Sequence, residues 1–315
     1  MNKYFKIIFL LSIIVTLFSC AKEDNNPVEK IRDYSEQYAK DIDSIDNFID
    51  THSMTVDADF NVTYTEIPAN GPEISIREQT QYPLEFKTVT NETHGVDYKI
   101  YFIKLREGVG EHPTSVDSVH VSYRGVETIK GEQFDSAQNP VWFRPEEIVP
   151  GWSEIMPYFA TGTYDPIDGP DPVTFNDYGA GVMFLPSGMA YFNLPRGALA
   201  AYSNLVFSFK LYSLRYRDHD GDGILSKDEV PLGSDYLYDP RKYNSDKDVE
   251  NYGDEIPNFV DTDDDGDRVL TKMELKKQDG TYHTFETVPG CDGLATDPNR
   301  VRRYLDPNCK PPFTN

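Results

Sequence analysis

Ser118–Trp152, SVHVSYRGVETIKGEQFDSAQNPVWFRPEEIVPGW, is the stretch on which the fold turns. Val119, Val121 and Tyr123 alternate there with Ser118, His120 and Ser122, the period-two pattern of a strand that turns one face to a core. A polar turn follows, Phe134-Asp135-Ser136 resumes the chain, and Ile148-Val149-Pro150-Gly151-Trp152 leads into a short helical pattern. Pro157 forbids an ordinary interior hydrogen bond just beyond it, so this helix must be short or kinked. Upstream, Tyr98–Leu105 reads as an almost continuously apolar strand ended by Gly108-Val109-Gly110. Downstream, Val182–Leu185 resumes as a strand, Pro186-Ser187-Gly188 turns, Ala190-Tyr191 follows, and Leu205, Phe207, Phe209 and Leu211 share one face of a last strand.

Strand-Tyr-x-Gly, Phe-Asp-Ser, Val-x-Gly-Trp after Ile148, Ala-Tyr and Leu-Val-Phe, in that order, resemble the FKBP-type peptidyl-prolyl cis-trans isomerases over residues 96–215. The resemblance implies an α+β fold, a curved antiparallel sheet wrapped on a short helix. It also implies an aromatic pocket with Tyr123, Phe134, Trp152 and Phe207 as walls and floor, and Ile148 and Leu199 at the rim. The Val149 amide and the Tyr191 hydroxyl would hold substrate carbonyls, and Asp135 would be the polar group at the edge. Proline-containing polypeptides would be the substrates. Rotation about a prolyl bond crosses a barrier of ~18–20 kcal/mol without making or breaking a σ bond, so neither nucleophile nor metal is needed; a dry aromatic pocket favours the twisted, less dipolar amide. Val141 stands where relatives carry a wall aromatic, which predicts a wider or shallower pocket, and Phe192–Ala201 lacks the family's paired prolines.

The N-terminus predicts export. Lys3 and Lys6 precede the apolar run Ile7–Phe18, too short to span a bilayer comfortably, and Leu17-Phe18-Ser19-Cys20 resembles a bacterial lipobox. Residues 1–19 are thus expected to be a signal peptide, Cys20 the lipidated residue that ties the chain to the outer membrane, and 20–27 a tether. The formal net charge of −23 includes Lys3 and Lys6, and so acidic a surface repels nucleic acid and anionic lipid. Of the three cysteines, Cys291 and Cys309 remain in an exported tail, where an oxidising compartment favours a disulfide over two thiols.

Residues 28–95 are expected to hold an amphipathic helix over Pro27–Asp50, with Ile31, Tyr34, Tyr38, Ile42, Ile45 and Ile49 on one stripe, and short strands at Phe60–Glu66 and Glu73–Arg77. The stripe suits packing on its own neighbour, a homodimer seam or a substrate clamp. Residues 96–216 are the isomerase-like domain, within which Thr163–Ala180, rich in Asp and Pro, reads as a surface excursion and candidate flap over the site.

Residues 217–280 carry acidic loops with calcium-ligand spacing. From Asp218 to Glu229 each position of the twelve-residue EF-hand loop is met: side-chain oxygens from Asp218, Asp220 and Asp222, the Ile224 carbonyl, Ser226 directly or through water, and bidentate Glu229. A second loop places Asp263, Asp265, Asp267, the Val269 carbonyl, Thr271 and Glu274 in the same register, with Arg268 at the glycine position. Residues 253–261 resemble a worn thrombospondin type 3 repeat, with Asp254 and Asp261 as further candidate ligands and Tyr252 where an acid belongs. The expectation is a small EF-hand-like domain that Ca²⁺ braces, followed by a tail at 281–315. No histidine shows zinc-ligand spacing and no phosphate-cradling glycine loop is present. A different reading keeps the calcium brace but no catalysis: a surface lipoprotein that binds peptide or glycan through tyrosines such as Tyr236, Tyr238 and Tyr243.

Overall fold

In the computed structural model the described residues are 30–165, 173–230, 239–249 and 253–313. The signal segment, Cys20, the tether, Tyr236, Tyr238 and Tyr252 lie outside them, and among them no helix is long and apolar enough to cross a membrane. In chain order the elements are α1 (Tyr34–Thr51), β1 (His52–Val56), β2 (Val62–Glu66), β3 (Leu84–Asn91), β4 (Val96–Arg106), β5 (Ser118–Glu127), β6 (Gln133–Phe143), α2 (Pro150–Ile155), β7 (Thr163–Tyr164), β8 (Phe175–Asn176), β9 (Gly179–Leu185), β10 (Leu205–Arg215) and α3 (Thr271–Glu274).

Six strands form one antiparallel sheet in the order β3-β4-β9-β10-β5-β6. Both of its faces are covered, which is why β4 and β9 are nearly continuous in apolar residues instead of alternating. On one face Ile100, Phe102, Val119, Val121, Phe207 and Phe209 pack on Trp152 and Ile155 of α2 and on Met156 and Phe159 beyond it. On the other, Tyr101, Ile103, Val182, Phe184 and Val206 pack on Ile45, Phe48 and Ile49 of α1 and on the β1–β2 hairpin. As Pro157 requires, α2 has only six residues and passes into a single 3₁₀ turn at Met156–Tyr158.

Several expectations need correction. The first helix begins at Tyr34 because Asp33 caps it, accepting from the Ser35 and Glu36 amides; Ile31 lies outside it and is exposed. Its apolar stripe packs on the chain's own sheet. Phe60 is not in a strand, and Glu73–Arg77 is not a strand but irregular chain entering a turn at Ile76: Ile76 plugs the core alone while Ile74 is exposed, with no partner strand among the described residues to continue the alternation. The domain boundary at 95/96 falls inside the sheet, since β3 pairs with β4 over its whole length. The boundary at 280/281 falls inside the small C-terminal core, where Val288 and Tyr304 pack on Ile224 and Leu275. Cys291 and Cys309 are joined by a disulfide, with their Cα atoms 5.4 Å apart.

Helix α1 also holds the site from behind. Asp41, 1% exposed, accepts from the Ser187 amide at 2.8 Å, the Ser187 hydroxyl at 2.6 Å and Gln37 Nε2 at 2.6 Å. Asn204, which carries the chain into β10, donates to the Asp41 carbonyl and accepts from the Ser187 amide. This network fixes the turn that delivers Ala190-Tyr191. Replacing Asp41 by alanine is expected to cost about 2–3 kcal/mol, because buried donors lose a charged acceptor. Urea unfolding checks it, with Asp41→Asn retaining most of the stability.

Candidate functional site

Because β5, β10 and α2 meet on one sheet face, their aromatic side chains converge. Trp152 forms the floor, its ring centroid 5.7 Å from Tyr123, 5.4 Å from Phe207 and 5.7 Å from Phe209, and it is 2% exposed. Phe134 meets Phe207 edge-on at 5.6 Å. Gly125, opposite Phe207 in the ladder, makes room for this pair: a Cβ there would lie 2.6 Å from the Phe134 ring and 2.9 Å from that of Phe207. Tyr123, Phe134, Ile148 and Tyr191 are half-buried and leave the cluster open on one side, with Asp135 exposed at its edge. Leu199, expected at the rim, is instead a buried wall residue facing a cavity of about 130 Å³ that Phe134 also lines.

Polar groups line the open side of the cluster. The Tyr123 hydroxyl donates to Asp135 Oδ2 at 2.7 Å, while Asp135 Oδ1 accepts from the Ser136 amide, so the carboxylate is oriented from two sides. Burial, with Asp135 adding to it, pushes the Tyr123 phenol well up, and burial raises Tyr191 despite Arg196 over its ring. Both remain neutral donors at neutral pH. Neither the Val149 amide nor the Tyr191 hydroxyl donates to another described residue.

Sequence reasoning missed Phe143. Val141 is not replaced by an empty wall, because β6 shifts register against β5 between Val121 and Tyr123 and Phe143 takes up the position, 5.3 Å from Tyr123 and 5.6 Å from Trp152. The pocket is therefore not widened there. Residues 166–172 of the candidate flap lie outside the described residues; at its ends β7 and β8 pair, and Phe175 packs on His120 and Tyr212, on the sheet face away from Val119 and Val121. A larger depression of about 580 Å³ also lies off the aromatic floor, beside Asn61, Ser122, Arg124, Gln133 and Lys210. Its charged and amide lining keeps it wet.

Each acidic loop draws its aspartates together. Asp218, Asp220 and Asp222 bring carboxylate oxygens within 4.8 Å of one another, and so do Asp263, Asp265 and Asp267. Each loop is wound by its own aspartates: Asp218 accepts from the Gly223 amide, Asp222 from that of Ile224, Asp263 from that of Arg268 and Asp267 from that of Val269. Both oxygens of Glu229 and of Glu274 are fully buried without a hydrogen-bond partner. Burial and the neighbouring carboxylates push Glu229 up to about 11, Glu274 up to about 10, and Asp220 and Asp265 each up to about 7. Orphaned buried carboxylates at these positions are what a resident cation would satisfy.

Two expected ligands are otherwise engaged. Ser226 Oγ lies 2.8 Å from His219 Nδ1, and Thr271 Oγ1 donates to Asp264 at 3.0 Å. In both loops the ninth residue thus braces the second. The helix–loop–helix of an EF-hand is absent among the described residues: strand β10 precedes the first loop, and the second ends in the four-residue α3, which lies within the loop itself. Arg268 has φ +75° where Gly223 of the first loop has +113°. Replacing Arg268 with glycine is expected to stabilise the second loop by about 1 kcal/mol and to tighten its calcium binding, as read by calorimetric titration.

The C-terminal region is tied to the pocket. Arg217 and His219 reach Glu146, just before Ile148, and Arg241 reaches Glu154 of α2 at 2.7 Å, where Lys87 also pairs at 2.8 Å.

Against known proteins, the chain is 29% identical over 119 residues to the probable FKBP-type peptidyl-prolyl cis-trans isomerase FkpA of Neisseria meningitidis serogroup B, covering 37% of this chain and 42% of that protein. It is 28% identical over 137 residues to the FKBP-type peptidyl-prolyl cis-trans isomerase FkpA of Aeromonas hydrophila, covering 42% and 43%. Part of this chain is similar to FKBP-type isomerases. The chain spans under half the length of these curated relatives. Among solved structures, a peptidyl-prolyl cis-trans isomerase from Pseudomonas syringae aligns with 57% of this chain and 94% of its own at 18% identity and a TM-score of 0.34. FkpA from Escherichia coli aligns with 68% and 74% at 18% identity and a TM-score of 0.35. Residues 219–298 match a different family, described as BamM C-terminal, and not an EF-hand.

Proposed function

We propose that the chain is a peptidyl-prolyl cis-trans isomerase of the cell envelope, acting on proline-containing segments of exported polypeptides. The observation that carries this reading is the single aromatic cluster of Tyr123, Phe134, Phe143, Trp152 and Phe207, open beside Tyr191 and Asp135. A prolyl ring seated on Trp152 would be surrounded by rings instead of water, and the Val149 amide and Tyr191 hydroxyl would fix the carbonyls on either side of the rotating bond. Ground-state planarity is stabilised by water more than by such a pocket, so transfer lowers the barrier. The Asp135–Tyr123 pair holds the edge and takes no proton.

Calcium at the two aspartate loops would satisfy the orphaned Glu229 and Glu274 carboxylates and act as a structural brace for residues 217–313. Envelope location is supported by the signal layout and by the Cys291–Cys309 disulfide, with lipid on Cys20 as the proposed anchor to the outer membrane. In the alternative, a non-catalytic lipoprotein would hold peptide or glycan on calcium-braced loops. Of its tyrosines, Tyr243 is half-buried, so it is a poor exposed platform. A prolyl tetrapeptide assay tests the reading: Phe134→Ala and Tyr191→Phe should each lower kcat/KM while leaving calcium binding intact. Glycan retention by a chain without isomerase activity would favour the alternative.

A further inference from the structure

Apart from the two loops, a third group of acids comes together within the short stretch of residues 246–261. Asp246 lies on the connection before the second loop, Asp254 follows it, and Asp261 stands two residues ahead of Asp263, yet their carboxylate oxygens come within 4.8 Å of one another. In a calcium shell, with oxygens at about 2.3–2.6 Å from the ion, two ligand atoms are at most about 5 Å apart, so this spacing is that of a shared coordination sphere.

The group is more than an exposed acidic cluster. Asp246 is 1% exposed, and its Oδ1 is shut off from solvent with no hydrogen-bond partner, while its Oδ2 accepts from the Asp254 amide at 3.2 Å. The backbone around it is set: Asp246 donates its amide to Asn244, Ser245 donates to Asn258 Oδ1, and Asn258 donates its amide to the Tyr243 carbonyl. Asp254 and Asp261 each use one oxygen to wind their own turn, accepting from the Ile256 and Asp263 amides. Among the described residues no donor reaches this buried carboxylate oxygen, which faces two further carboxylates, and a cation there would satisfy all three.

We propose that Asp246, Asp254 and Asp261 bind a third divalent cation of the hard, oxygen-seeking calcium class, which clasps residues 243–246 to residues 254–261. The site lies outside the two Asp-x-Asp-x-Asp loops and shares no side chain with them. It rests on the same calcium chemistry as the brace above, but its residues are separate. The clasped segment continues back to Arg241, which pairs with Glu154 on the pocket-floor helix, so this ion would steady the side of the module that touches the candidate site.

Equilibrium dialysis of the full-length chain against calcium tests this. Asp246→Asn and Asp254→Asn are each expected to bind one ion fewer than wild type, and Asp254, being exposed, can be changed without disturbing a core. Tryptic cleavage after the exposed Lys247 supplies an independent readout: calcium at ten times its Kd should slow it about tenfold in wild type and not in Asp246→Asn. Unchanged stoichiometry in both variants, or calcium protection of Lys247 surviving Asp246→Asn, overturns the third site. Loss of ions from Asp220→Asn or Asp265→Asn instead reports on the loops, so the two readings fail separately.

Discussion

Chelating calcium is expected to split thermal unfolding into two transitions, an early one for residues 217–313 and a later one for the sheet. The early core is small, with Ile224, Leu275, Val288 and Tyr304 as its fully buried apolar residues, and cannot by itself offset the repulsion among the buried acids beside it. At about 10 mM calcium and a Kd of about 10⁻⁴ M, each loop contributes about 2.7 kcal/mol, or about 5 kcal/mol for the two loops together. The pH dependence reverses with the metal. Without it, the folded module holds the protons of Asp220, Asp265, Glu274 and Glu229 more tightly than the unfolded chain, since their values are raised to about 7, 7, 10 and 11. Stability is therefore greatest near pH 4 and falls as pH rises through 7 and beyond. With calcium the ionised acids are what binds, so stability falls instead as pH drops. Scanning calorimetry in chelator and in calcium at several pH values checks this; one transition indifferent to calcium would contradict the brace.

Trp152→Ala is expected to have the largest effect on the sheet domain. The indole is packed between Tyr123, Phe143, Phe207 and Phe209, and its loss leaves a cavity at the centre of that core, at a cost of about 3–5 kcal/mol. Isomerase activity should fall at least about tenfold, equivalent to about 1.4 kcal/mol at the transition state. Trp152→Phe separates the two effects: it keeps an apolar ring and most of the stability, while the floor under a bound proline recedes. Trp142 is the matched control. The chain has two tryptophans, and Trp142 stacks on His120 on the far face, so Trp142→Ala should leave activity unchanged.

The sequence carried the parts of this fold whose signals are local. Val119, Val121 and Tyr123 in β5, the shared face of Leu205 to Leu211 in β10, the short helix before Pro157 and the Asp-x-Asp-x-Asp spacing all lie where their patterns put them. What it hid depends on partners distant in the chain. Phe143 reaches Trp152 only because β6 slips against β5, and a slip is invisible without the neighbouring strand. Ile76 mimics a strand residue, yet plugs a core built by α1 and the far side of the sheet. Asp246 looks like one more surface acid until the fold brings it to Asp254 and Asp261. Composition marks the 163–180 segment as exposed without saying that its described ends lie on the far face of the sheet.

The most direct test of the central claim is the rate at which the full-length chain converts a cis prolyl tetrapeptide to trans in calcium. The pocket predicts a second-order acceleration over the uncatalysed reaction that falls in Phe134→Ala and Tyr191→Phe and is untouched by Trp142→Ala. A folded, calcium-loaded chain that leaves the conversion at its spontaneous rate would contradict it.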